Sequence, residues 1–255
     1  MEPEHVFCYY RNMISRERKS ETGAKIPALL VVDIQNDFVE GGALAVRGGR
    51  AVVPVINRLM PLFPLVVGTR DWHPRDHGSF HTQHPGAQPY QLGELGGHPQ
   101  VMWPVHCVQG SPGAELLDSL DWRRFRKLFS KGTDPTVDSY SAFYDNNHRN
   151  PTGLGAFLKE HGVSDLFIAG LALDYCVRFS AADAREFVDA VYVIGDATAA
   201  VSVETERETL AFLREKGIAV IDSLRVPSIL KKRGFDRGIP PLRTRHVRTT
   251  EKDGS

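Results

Sequence analysis

Short apolar runs recur along this chain, and each is followed by a stretch with helical spacing. The clearest run is Leu166-Phe167-Ile168-Ala169-Gly170-Leu171. It is apolar at successive positions, not alternate ones, as a strand buried on both faces requires. Comparable runs lie at 28–32, 64–68, 190–194 and 218–221, and 125–129, although interrupted by Arg126 and Lys127, also reads as a strand. Between them the sequence predicts helices at 50–63, where Pro54 must fall in the first turn or break the helix, and at 111–120. Further helices are predicted at 153–161, at 177–187, and at 203–216, where Gly162 and Gly217 mark C-terminal stops. Alternation of this kind folds as an α/β domain. The expected form is a three-layer αβα sandwich around a mostly parallel six-stranded sheet. That domain is expected over 27–224. Residues 1–26 read as an N-terminal extension of mixed charge, and 225–255 as a basic, loosely ordered C-terminal tail.

Bulk composition removes several function classes. Lys plus Arg and Asp plus Glu both total 31, so no excess of either sign favours nucleic acid or an anionic membrane as partner. No apolar stretch reaches the length of a membrane span. Three cysteines, Cys8, Cys107 and Cys176, are too sparse for a disulfide framework and fit a reducing compartment. The acidic start, Met1-Glu2-Pro3-Glu4, does not read as a secretory leader. The expected location is the cytoplasm, with the nucleus also open. A homo-oligomer is compatible with everything in the sequence.

The chemistry-bearing side chains fall at strand ends. Asp33 closes the first strand, Asp71 and His73 the second, and Lys131 the third, while Cys176 follows the fourth. In a parallel sheet these ends share one edge, so the groups can converge there. Cys176 is placed at the turn into a helix, where the dipole favours thiolate and makes the residue a candidate nucleophile. Taken singly, each has a plainer reading: a turn cap for Asp33, a solvated lysine, a small apolar cysteine. Asp71 and His73 are two apart, so in extended chain they point to one side and can offer oxygen and nitrogen to one cation. His106 can add a second nitrogen, although His77, His81, His84 and His98 compete for that place. One Asp and two His suit zinc, with iron or manganese as alternatives. The Gly-, Pro- and His-rich stretch 74–105 is long for a plain connection and reads as functional.

Five segments occur in a telling order: Asp33-Ile34-Gln35-Asn36-Asp37-Phe38; Asp71-Trp72-His73-Pro74; Trp103-Pro104-Val105-His106-Cys107; Lys131-Gly132 followed by Tyr140-Ser141-Ala142-Phe143; and Gly170-Leu171-Ala172-Leu173-Asp174-Tyr175-Cys176. Together they resemble the nicotinamidases of the isochorismatase-like cysteine hydrolase superfamily. The resemblance covers roughly 27–224. It implies Asp33 as general base, Lys131 as the neighbouring cation and Cys176 as nucleophile. It also implies an oxyanion hole from the backbone N–H groups of Ala172 and Cys176, with a cis peptide between Leu171 and Ala172. Asp71, His73 and His106 would hold one divalent metal ion, with Ser79 or water completing the shell. Phe38, Trp103 and Tyr140 would wall a flat heteroaromatic substrate. The implied reaction converts nicotinamide and water to nicotinate and ammonia, in NAD salvage, with pyrazinamide also accepted. Two other readings stay open: an amidase for ureido or carbamoyl substrates, and a catalytically silent nicotinamide-binding protein.

Overall fold

The computed structural model describes residues 25–235. Strand β1 (Ile26–Val32) leads through a 3-10 turn at Asn36–Phe38 to helix α1 (Val53–Leu59), which carries Pro54 in its first turn. Strand β2 (Leu65–Asp71) is followed by a hairpin, β3 (Leu92–Leu95) and β4 (His98–Val101), and then by β5 (Lys127–Lys131). Helix α2 (Leu154–Glu160), β6 (Val163–Leu171), α3 (Arg178–Ala184) and β7 (Ala190–Ala199) come next. Helix α4 (Val203–Glu215), β8 (Ala219–Ile221) and α5 (Val226–Lys232) complete the described chain.

The main sheet has six strands in the order β5-β2-β1-β6-β7-β8, and every pair is parallel. Its two faces carry separate apolar layers. Leu29, Val31, Phe167 and Ala169 pack with α1 and α5, while Ala28, Leu30, Leu166 and Ile168 pack with α2 and α3. Burial on both faces explains why the strands read as unbroken apolar runs. At the centre β1 and β6 approach closely. Gly170 has φ +118°, and a Cβ there would lie 2.1 Å from the Val32 carbonyl oxygen, so the position admits no side chain.

Four expectations change. The stretch 111–120 forms only a 3-10 turn at Pro112–Ala114. After it Leu116 bridges to Gln35 and Leu117 N–H donates to the Ile34 carbonyl, so tertiary pairing takes the backbone a helix would need. The 74–105 stretch contains the β3–β4 hairpin. The helix expected at 177–187 is present as the shorter α3, and a π-helical turn at Leu173–Val177 leads into it. The C-terminal tail does not begin at 225. Helix α5 buries Val226 and Leu230 in the core, and Arg233 pairs with the buried Asp165 carboxylate at 2.7 Å. Most of the expected N-terminal extension (1–24) and the chain from 236 onward lie outside the described residues. No helix among the described residues is long and apolar enough to cross a membrane.

Candidate active site

Four adjacent strands, β5-β2-β1-β6, deliver their polar ends to one edge of the sheet. Asp71 and Lys131 are register partners across β2 and β5. The Lys131 ammonium is the hub. It contacts an Asp71 carboxylate oxygen, lies 3.0 Å from Asp33 Oδ2, and donates to Cys176 Sγ at 3.3 Å and to the Ser139 carbonyl at 2.9 Å. Carboxylate oxygens of Asp33 and Asp71 and the Cys176 sulfur all fall within 4.8 Å of one another. Asp33 is held in place by the Thr69 hydroxyl, which donates to Oδ1 at 2.7 Å, and sits in the left-handed region at φ 49°. Among the described residues the Leu171–Ala172 peptide is the cis bond.

All four side chains are buried, and Lys131 is 2% exposed. Burial works against the ammonium, but Asp33 and Asp71 outweigh it and hold the Lys131 pKa well above its ordinary value. Burial would likewise raise Asp71, yet Lys131, His106 and His73 together hold it well below the usual carboxylate range. Asp33 goes the other way: burial raises its pKa, Lys131 offsets part of that, and the Asp71 charge adds to it. For Cys176, burial is again the largest cause and pushes the thiol well up, with Asp33 and Asp71 adding to burial against Lys131. Burial in the π-helical turn and the two carboxylates thus act against the thiolate that a helix end favours.

Next to this cluster lies a second. Oδ2 of Asp71 is 3.6 Å from His73 Nε2 and 3.8 Å from His106 Nε2, too far for hydrogen bonds and suited to a shared ion between them. Both imidazoles use the opposite nitrogen as an anchor: His73 Nδ1 meets the Gly132 carbonyl and His106 Nδ1 the Pro104 carbonyl, each at 2.8 Å. A backbone acceptor on Nδ1 fixes the tautomer that leaves the Nε2 lone pair inward. The donor set therefore fits a divalent metal ion with open positions. His77 stands behind His73, with ring centroids 4.3 Å apart, and its pKa falls to about 4 through burial and the neighbouring His73. Its Nδ1 bonds the Ser79 hydroxyl at 2.8 Å, so Ser79 is engaged with that ring. His81 and His84 are tied to the Trp103 and Gly78 carbonyls, and His98 lies in β4 on the hairpin.

A cavity of about 440 Å³, including its open mouth, joins the two clusters. Phe38, Trp103, Tyr140, Asp71, His106, Ala172 and Cys176 line it, so the expected ring-walling residues share it with metal-site and nucleophile residues. Phe38 also belongs to the core beneath. Trp103 Nε1 donates to Tyr140 Oη at 3.2 Å, and the two rings stand edge to face. Leu44, Val46, Asp138, Tyr175 and Val201 line it too and were not singled out by the sequence. Tyr175 had a signal, since it precedes the nucleophile; its ring meets Trp103 edge-on at 5.1 Å. Leu44, Val46 and Val201 had none, being ordinary apolar residues in turns.

Residues 27–224 match the isochorismatase domain model. The chain is 46% identical over 190 residues to the nicotinamidase of Escherichia coli (strain K12), covering 73% of this chain and 89% of that one. Among solved structures it is similar to the nicotinamidase/pyrazinamidase of Acinetobacter baumanii, with TM-score 0.76 and 37% identity, covering 82% of this chain and all (100%) of that one. PnC1 from L. infantum in complex with nicotinate gives TM-score 0.69 and 36% identity over 78% and 94% of the two chains. The Pyrococcus horikoshii pyrazinamidase in complex with zinc gives 0.61 and 34% over 77% and 98%.

Proposed function

The chain belongs to the isochorismatase family, and from that premise we propose that it is a nicotinamidase, hydrolysing nicotinamide to nicotinate and ammonia. The observation that carries this reading is one cavity shared by Cys176, the Asp71 and His106 donors and the Phe38, Trp103 and Tyr140 rings. The nicotinate-bound and zinc-bound relatives support it. Pyrazinamide, with the same carboxamide on a flat ring, fits the same walls. The cytoplasm is the proposed compartment, on the sparse cysteines of the sequence.

Cys176 sulfur attacks the carboxamide carbon while Asp33 takes its proton. Lys131 stays charged throughout and balances the carboxylates around the reacting sulfur. Backbone N–H groups of Ala172 and Cys176 receive the oxyanion, a contribution of about 3 kcal/mol per donor in comparable sites. As the C–N bond breaks, Asp33 gives its proton to the departing nitrogen, releasing ammonia and leaving a thioester. Asp33 then takes a proton from water as the water adds to the thioester carbon. The C–S bond breaks and the sulfur recovers that proton. Asp71, His73 and His106 would hold a divalent ion, zinc by donor type with iron or manganese as alternatives. When bound, that ion supplies an anchor for a ring nitrogen, so that the carboxamide faces the sulfur.

The test is ammonia release from nicotinamide, with and without a strong chelator. Expected are turnover by the zinc-loaded protein and its loss, about 100-fold or more, on chelation, reversed by zinc. Turnover of a ureido substrate that ignores the chelator, with none of nicotinamide, would overturn the reading. A pH profile adds a second check. Asp33 must be ionised to act as base, so kcat/KM falls as pH drops through its pKa. Because burial raises that pKa, the acid limb is expected above the ordinary value of 3.8. A limb at or below 3.8 would remove Asp33 from the role.

A further inference from the structure

The segment that carries Asp33 also grips the metal-site residues from behind, through side chains that do not line the cavity. Gln35 is fully buried. Its Oε1 accepts from the Asp71 N–H at 2.8 Å, and its Nε2 donates to the Asp71 carbonyl at 2.8 Å. One amide thus closes a two-point clamp on the peptide groups of Asp71, and Nε2 reaches on to the Ala114 carbonyl at 2.9 Å. Two residues further along, Asp37 Oδ2 accepts from the Cys107 N–H at 2.7 Å. Cys107 follows His106 in sequence, and its carbonyl accepts from the His73 N–H at 3.0 Å. Asp37 therefore holds Cys107, the residue that follows His106 in sequence and reaches His73 through its own carbonyl. A Cβ on Gly113 would lie 2.1 Å from Asp37 Oδ2, so the carboxylate is seated against bare backbone.

Cys107 sits at φ 45°, in the left-handed region that a non-glycine residue takes at a cost. The bond from its N–H to a carboxylate is of the charge-assisted kind that can hold such a conformation. Each of the three metal donors is therefore oriented twice. His73 and His106 are set at the ring by carbonyls and through the backbone by Cys107, which Asp37 holds, and Asp71 is set by Lys131 and by Gln35. The same short stretch, Asp33 to Phe38, supplies the base, both clamps and a cavity wall.

We propose that Gln35 and Asp37 are positioning residues for the metal site, fixing Asp71, His73 and His106 relative to Asp33. This rests on the metal-dependent reading above. The structural reason is economy of error: donors on β2 and on the 103–107 loop reach the base through one rigid turn. Loss of a clamp frees the donors to spread, which weakens the ion's binding before it touches the thiol.

The experiment titrates zinc into metal-free protein against a chromophoric chelator. It compares wild type with Gln35→Met, Asp37→Ala and Asp37→Asn, and records melting temperature and iodoacetamide labelling of Cys176 for each. Gln35→Met and Asp37→Ala are expected to weaken zinc binding about 10- to 100-fold. Asp37→Asn, which keeps a carbonyl oxygen for Cys107 N–H, is expected to recover most of that loss. In steady state KM for nicotinamide rises more than kcat falls, because the anchor is looser while the thiol is intact. Zinc affinity within twofold of wild type in folded Gln35→Met and Asp37→Ala overturns the proposal. So does an affinity loss that Asp37→Asn shares in full. Wild type that binds no zinc removes the metal site itself, and with it this role. Wild type that binds zinc tightly but releases no ammonia removes the substrate assignment alone.

Discussion

Cys176→Ala is expected to reduce ammonia release from nicotinamide by about 10⁴-fold or more while leaving the protein folded and the ring-binding site formed. Size is not the issue, since alanine fits wherever cysteine does and the cost of one lost sulfur in a buried turn is modest. What disappears is the only described sulfur that lines the cavity; Cys107 is buried in the core and does not. Water cannot take over easily. The site contains a base, Asp33, but its first proton partner is the thiol, and Lys131 points its third hydrogen-bond donor at that sulfur. Binding should survive. Phe38, Trp103, Tyr140, Asp71 and His106 are untouched, so the zinc-loaded variant is expected to bind nicotinamide within a few-fold of wild type by calorimetry. Cys176→Ser should be almost as inactive, because a hydroxyl gives up its proton far less readily than a thiol. Retention of more than about 1% of turnover in the alanine variant would move the nucleophile elsewhere.

The groups at the heart of this site were readable because of where they sit in the chain. Asp33, Asp71, Lys131 and the turn holding Cys176 each end a segment readable as a strand, and parallel strands put such ends on one edge. The runs themselves were readable because both faces of the sheet are covered. Ionisation was not readable. Dipole arguments favour a thiolate at Cys176, but burial and the two nearby carboxylates, which are properties of the folded pocket, push its pKa up. The hairpin had a local signal, Gly96-Gly97, both at positive φ, that the Gly- and Pro-rich composition around it obscured. Helix α5 was hidden by its charges: Lys231, Lys232 and Arg233 make it look like tail, while Val226 and Leu230 are enough to seat it. Gln35 and Asp37 carried no readable role of their own, because their partners, Asp71 and Cys107, lie 36 and 70 residues away.

Lys131→Met should be the most damaging change to the electrostatics of the fold, and its two effects can be separated. Breaking a buried ion pair from one side costs about 3–5 kcal/mol, and here a single ammonium serves two carboxylates. Methionine keeps most of the volume, so the loss measured by denaturant unfolding of the metal-free protein is charge, not packing. The pH dependence should identify it. In wild type the depressed Asp71 contributes stability that is present above its unfolded pKa and lost as pH falls through its folded one. Without Lys131 both carboxyls are raised by burial and by each other. The folded state then binds protons more tightly than the unfolded chain, and stability increases as pH falls. The variant is therefore expected to lie furthest below wild type near pH 7 and to approach it near pH 5. Activity follows a different logic. A protonated Asp33 cannot take the Cys176 proton, so turnover is lost at both values. Adding Asp33→Asn to Lys131→Met removes one of the two stranded charges. It should restore part of the stability, a coupling readable in a double-mutant cycle, and none of the activity. If the single variant instead unfolds with the same pH dependence as wild type, Lys131 is not the charge that holds Asp33 and Asp71 together.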